Sequence, residues 1–335
     1  MTTRGRSGTV AAVAVLALAT LVAMAWVVGG AWPWARAGSA AGSRATTRDV
    51  AVRAGQTLDL AVEGASSVVV RDGTPGRVDV RAAGRGWQGR WSPRILVTAG
   101  PEGPVVRVAP SNWAWWWLTG GWLGTRVRVA VPARVSLRVS DGTGALWVSG
   151  THPRAALRVA AGSVTVADYR GALSIVAVNG DVRVTRAVVA GGFSAVDTNG
   201  NVALAGVTAT GGAAAVDVNG GVTAAGLRVG GSLTASDVNG DVALSGVAAS
   251  RFTLHTVNGD IRYVGSGGSG GSATTVNGSV RLRLLAPGRP GHYTVVTPGG
   301  VADWPSSSGP TLGAIALTSG LGGVAWGPAA PATAG

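Results

Sequence analysis

The chain has 335 residues, 55 of them glycine, with 28 arginines, 15 acidic residues and a formal net charge of +13. It has no cysteine, which excludes a disulfide framework and any thiolate metal site. It has no lysine, and its three histidines (His152, His255 and His292) are scattered without ligand spacing, which argues against zinc chemistry.

Residues 1–8 are polar, carry Arg4 and Arg6, and read as a short cytoplasmic N-terminus. Residues 10–28 are nineteen residues without a charge, and the stretch 9–31 has about the span of a bilayer core. Trp26, Trp32 and Trp34 stand at its far end, where an interfacial aromatic belt belongs. The expectation is one transmembrane helix over 9–31, an uncleaved signal anchor in a bacterial cell membrane, with the N-terminus inside and the rest outside the cytoplasm. The alternative is secretion after cleavage near Ala37, because Ala35-Arg36-Ala37 has the small-x-small form of a signal cleavage site. Residues 32–48 read as a linker, small and polar from residue 38 on.

From residue 49 to residue 139 the texture becomes period-two alternation, as in Val68-Val69-Val70 and Val127-Arg128-Val129-Ala130-Val131, broken by Gly and Pro turns. This is an irregular β segment expected to cap the solenoid that follows. Within it stand Trp113, Trp115, Trp116, Trp117 and Trp122, five tryptophans in ten residues, flanked by Asn and Gly as in a loop. Two readings remain open for this loop. It folds over the end of the core and buries its rings, or it contacts a membrane interface or sugar rings. Trp87 and Trp91 belong to the same group in either reading.

Residues 140–325 carry a clock. Asn-Gly occurs at Asn179, Asn199, Asn219, Asn239, Asn258 and Asn277, in steps of 20, 20, 20, 19 and 19 residues. A fixed period near 20 residues, in a composition of Val, Ala, Thr, Ser and Gly, predicts a solenoid of strands. Two residues after each Gly stand Val182, Val202, Val222, Val242, Ile261 and Val280; seven before it stand Leu173, Phe193, Ala213, Leu233, Phe252 and Gly271. Spacing by two keeps such residues on one face of a strand. The fold class is therefore all-β: a parallel β-solenoid of about 20 residues per coil and roughly nine to ten coils, with the irregular N-terminal cap and the one N-terminal helix. The Asn column is read as a structural ladder of stacked amides at the turn. Asp141-Gly142, Ala161-Gly162, Gly299-Gly300 and Gly320 are its weaker copies. Trp304 and Trp326 are placed to cover the far end, and residues 326–335 read as a disordered tail.

Two acidic columns accompany the Asn. Asp197, Asp217 and Asp237 lie two residues before it; Asp181, Asp241 and Asp260 lie just after the Gly. Both suit polar turns. The first column is also a candidate Ca²⁺ site, because coil stacking brings its carboxylates within about 5 Å of one another. Paired carboxylates also allow a polysaccharide hydrolase, although residues 140–325 contain no Glu and no Lys. No cofactor and no catalytic residue is assigned.

Charge is uneven: residues 1–140 carry 17 arginines against six acids, residues 141–335 only 11 against nine. For an exported chain the counter-charges are anionic envelope polymers or lipid headgroups; no nucleic-acid readout motif is present.

The segment Arg126-Val127-Arg128-Val129-Ala130-Val131-Pro132, followed by Val178-Asn179-Gly180-Asp181-Val182, Val238-Asn239-Gly240-Asp241-Val242 and Val257-Asn258-Gly259-Asp260-Ile261, resembles the bacterial "putative adhesin" β-strand-repeat family of unknown function. The resemblance covers roughly residues 50–325. It implies a non-enzymatic, exported or membrane-tethered β-solenoid and supplies no catalytic residues. The functional expectation is an adhesin-like binding or surface-scaffold module, presenting Ser174, Ser194, Thr234, Thr253 and Ser272 outward in register. The alternatives are an envelope-stress sensor acting through a membrane protein partner, and the hydrolase.

Overall fold

The computed structural model describes residues 45–84, 93–109, 125–267, 269–284 and 292–297, with the strands Ala302–Pro305, Ile315–Thr318 and Val324–Gly327. The expected signal anchor (residues 9–31) and the Trp113–Trp122 loop, with Trp87 and Trp91, lie outside these residues. Among the described residues no helix is long and apolar enough to cross a membrane.

The described strands form one sheet wound on itself. Leu146, Val164, Val182, Val202, Val222, Val242, Ile261 and Val280 are successive register partners in parallel strands. That column closes about seven full coils among the described residues, fewer than the nine to ten expected. The expectation ran the 20-residue clock on through residue 325. The strands there pair at 22-residue spacing, Ala302 with Val324 and Tyr293 with Ile315, and their connections lie outside the described residues. Trp304 and Trp326 are register partners, so the last strand runs two residues into the segment expected as a tail.

The first strands in chain order are β1 (Ala45–Ala51), β2 (Thr57–Val62), β3 (Ala65–Asp72), β4 (Arg77–Gly84), β5 (Arg94–Ala99), β6 (Pro104–Ala109), β7 (Thr125–Val131), β8 (Ser136–Thr143), β9 (Ala145–Ala161), β10 (Val164–Asn179) and β11 (Val182–Thr185). Their pairing is not sequential. β2 pairs in parallel with both β6 and β8, and β3 with both β7 and β9. The β2–β3 coil is thus inserted between two coils made later in the chain. β1, β4 and β7 form an antiparallel row on one side, and β5 pairs antiparallel with β6 on the other.

The upper coils are shorter. Arg170 pairs with Val188, eighteen residues on, whereas Leu173 pairs with Phe193, twenty residues on. The two extra residues enter between these pairs, at the Gly191-Gly192 corner. Another corner takes left-handed backbone in five successive coils, and glycine supplies it at Gly206, Gly226 and Gly246. One coil above, the same corner holds Arg186 at φ 49°, and Asp168 at φ 53° stands above that. These two non-glycine residues hold each other: Arg186 Nε and Nη2 donate to the two Asp168 carboxylate oxygens at 2.7 and 2.8 Å.

Inward positions are Val, Leu, Ile and Ala, nearly all fully buried. Each fully buried Val or Leu contributes about 1.5–3 kcal/mol of transfer free energy. Large and small residues share one column, Phe193 on Ala213 on Leu233 on Phe252 on Gly271. A side chain at Gly271 would run into the Phe252 ring, which stacks on Tyr263 at 4.4 Å. That glycine is therefore space left for an aromatic neighbour.

Candidate functional site

The Asn-Gly corner is where polar chemistry concentrates. The Asn column is a continuous chain of amides on the surface. Asn199 Nδ2 donates to Asn179 Oδ1 at 2.9 Å, and Asn219, Asn239, Asn258 and Asn277 each donate to the Asn above at 2.7–2.8 Å. Asn179 closes the top through the Ala160 carbonyl at 3.4 Å. Asn179 through Asn258 each both donate and accept, so these amides are spent on the coils above and below them.

The second acidic column is a rung-to-rung clamp. Asp181 Oδ1 accepts the Asn201 backbone N–H at 3.0 Å and its side-chain amide at 3.1 Å. Asp241 Oδ1 accepts the Asp260 N–H at 2.7 Å, and Asp260 Oδ1 the Ser279 N–H at 2.8 Å. The Ser279 amide holds the Asp260 carboxyl below the usual carboxylate range, with smaller help from Arg281 and Arg262. A carboxylate kept ionised and occupied by backbone suits a turn better than a general acid. Asp241, Asp260, Ser279, Arg262 and Arg281 line a shallow groove of about 140 Å³.

The first acidic column, read from the sequence as polar turn residues, lies inside the solenoid. Asp197, Asp217 and Asp237 are each 0% exposed. Asp197 Oδ1 accepts the Thr198 N–H at 2.8 Å and Asp217 Oδ1 the Val218 N–H at 2.7 Å. Their Oδ2 atoms, and both oxygens of Asp237, have no hydrogen-bond partner among the described residues. Burial pushes Asp197 up to about 6 and Asp217 to about 7, the latter with added repulsion from Asp237 and Asp197. Asp237 is raised for the same reason; the Val238 and Asn239 amides temper it without reaching hydrogen-bond geometry. Asp141, higher in the solenoid, is 3% exposed and pushed to about 7. No group of three or more His, Asp or Glu among the described residues is placed to hold a metal ion, the Asp197, Asp217 and Asp237 column included.

Sequence reasoning missed this burial, although a signal existed. Phe193, Ala195 and Asp197 continue one inward series at period two, as do Ala213, Ala215 and Asp217. It also passed over Trp147, which is 44% exposed between buried Leu146 and Val148. The hydroxyl flank lies as expected: Ser174, Ser194, Ala214, Thr234, Thr253 and Ser272 are successive register partners, exposed or half-buried.

Fold and corner together define a parallel β-solenoid with an amide-laddered edge. Over residues 163–285 the chain is similar to the family described as Toastrack DUF4097, which supports the expectation of a β-solenoid family of unknown function. A crystal structure described as a "putative cell adhesion protein" from Clostridium sporogenes ATCC 15579 shares 10% identity, covering 60% of this chain and 100% of that chain, with a TM-score of 0.33. No curated protein matches.

Proposed function

We propose that this protein is a non-enzymatic, membrane-anchored surface module, with its solenoid outside the cytoplasm and adhesin-like in presenting a repetitive face to envelope material. The observation that carries this reading is the hydroxyl flank, from Ser174 through Ser194, Ala214, Thr234 and Thr253 to Ser272. It repeats at about the 4.8 Å strand spacing on a backbone locked by the Asn ladder. A rigid periodic face recognises a periodic partner without ordering loops on binding. The polar corners support a structural role: their exposed carboxylates clamp amides and their buried ones face no solvent.

The test is co-sedimentation of the full-length protein, held in nanodiscs, with envelope fractions of its own bacterium at low and high salt. Pelleting above an empty-nanodisc control is expected. No pelleting at either salt sinks the reading and favours a sensor that acts through a membrane protein partner.

A further inference from the structure

Across the start of the solenoid one outward row crosses the sheet. Arg81 pairs with Arg128, Arg128 with Val69, Val69 with Trp147, Trp147 with Thr165, and Thr165 with Arg183. The inward neighbours of these residues, Val80, Val127, Val129, Val68, Val70, Leu146, Val148, Val164 and Val182, are buried, so the row faces solvent. Among the exposed large apolar side chains of the described residues, Trp147 is the one aromatic ring. Two strands to either side of it stand Arg128 and Arg183, about 10 Å away at the usual strand spacing. The intervening Val69 and Thr165 are small. Arg126 and Arg71 extend the same face, each two residues along its strand from the row.

The charges of this face are largely uncommitted. Arg81 is bridged to Asp79 at 3.0 Å, but Arg71, Arg126, Arg128 and Arg183 form no ion pair among the described residues. An indole exposed on a flat sheet, with guanidinium groups in line on both sides, matches one ligand form. That form is a linear chain of rings with anionic substituents, running parallel to the solenoid axis. Indole faces stack on the apolar faces of sugar rings, and guanidinium groups grip carboxylate or phosphate in bidentate fashion. A lipid surface fits less well, because membrane docking needs a protruding apolar cluster and here one ring lies between Val and Thr.

We propose that the outward face of β4, β7, β3, β9, β10 and β11 docks a linear anionic glycan, with Trp147 stacking on a sugar ring and Arg128 and Arg183 binding acidic groups on either side. This rests on the surface-module reading and names its ligand class and site.

The experiment uses full-length protein in detergent and measures binding to immobilised alginate, a linear polyuronate. Dextran serves as the neutral glycan, polyglutamate as the ringless polyanion and duplex DNA as the competing polymer class. Binding to alginate and not to dextran is expected. Trp147→Ala should weaken alginate binding about tenfold while changing polyglutamate binding less than about twofold. Arg128→Gln/Arg183→Gln should reduce the salt-sensitive part on both polyanions, with Arg71 and Arg126 left on the face. Unfolding midpoints equal to wild type show that these exposed substitutions leave the fold intact. Alginate binding by Trp147→Ala equal to wild type overturns the proposal, as does DNA binding that is tighter than alginate and depends on Trp147. Envelope pelleting that persists without alginate binding overturns this site and leaves the surface-module reading standing. Alginate binding without envelope pelleting does the reverse.

Discussion

The coils around Asp197, Asp217 and Asp237 and those around Thr256, Thr275 and Thr297 use one buried position for two chemistries. In the lower coils a threonine hydroxyl points across the corner. Thr256 Oγ1 donates to the Gly240 carbonyl at 2.9 Å, Thr275 to Gly259 at 2.9 Å, and Thr297 to Gly278 at 3.1 Å. In the upper coils an aspartate stands there with an oxygen that has no partner among the described residues. An ionised carboxylate accepts only; it must gain a proton before it can donate as threonine does. Desolvation in a site that elsewhere takes a neutral hydroxyl pushes the carboxyl toward its neutral form, and it raises all three aspartates.

Both halves nonetheless share one backbone corner, and breaking it should have the largest effect. A Cβ at Gly220 would overlap the Gly200 carbonyl and crowd Asp217 Oδ2; one at Gly259 would overlap the Gly240 carbonyl. Gly220→Ala and Gly259→Ala should each cost about 3 kcal/mol or more, read as a lower urea midpoint. Equal midpoints for wild type and variants would mean that the corners are not stacked this closely.

Next in size is the pH response, which should separate the halves. Folded-state values near 6 and 7 lie above the unfolded aspartate range, so folding binds protons there. The stabilisation is present at pH 4 and is lost as pH rises through 6 to 7, by a few kcal/mol at about 1.4 kcal/mol per pKa unit. Buried His255 and His152 are lowered by desolvation and act the opposite way below about pH 6.5. The difference between wild type and Asp197→Thr/Asp217→Thr/Asp237→Thr isolates the aspartates. The triple variant should lose most of the decline between pH 5 and pH 8, with Asp141 supplying the remainder. A triple variant with the wild-type profile would break the comparison.

The smallest effect belongs to the threonine half. Thr275→Val should cost about 1–3 kcal/mol, because the Gly259 carbonyl loses its donor while shape is kept. That loss should be the same at pH 5 and pH 8. A loss that changes with pH would couple this hydroxyl to His255, the buried titrating group of the same coils.

Much of the architecture was legible because a solenoid repeats locally. The Asn-Gly period gave the register of Asn179 through Asn277 residue for residue, since each coil stacks on its sequence neighbour. The two-residue alternation implied that Asp197 is inside and Trp147 outside. Residue type obscured both, because aspartate reads as a turn residue and tryptophan as core. Above Val182 the copy at Ala161-Gly162 was legible, but Asp141-Gly142 falls two residues early: the coils there are eighteen residues long, so the partner of Ala161 is Thr143.

The sequence by itself determined the parallel stacking, the Asn ladder and the inward columns, since each depends on a period that any coil repeats. Only the tertiary structure decided the insertion of β2–β3 between β6–β7 and β8–β9, because pairings distant in sequence leave no period. It alone brought Arg81, Arg128, Trp147 and Arg183 into one row, since they come from four separate strands. It also decided how completely the aspartates are sealed. A carboxyl's protonation depends on the water excluded around it, and that exclusion exists only once the coils above and below have closed.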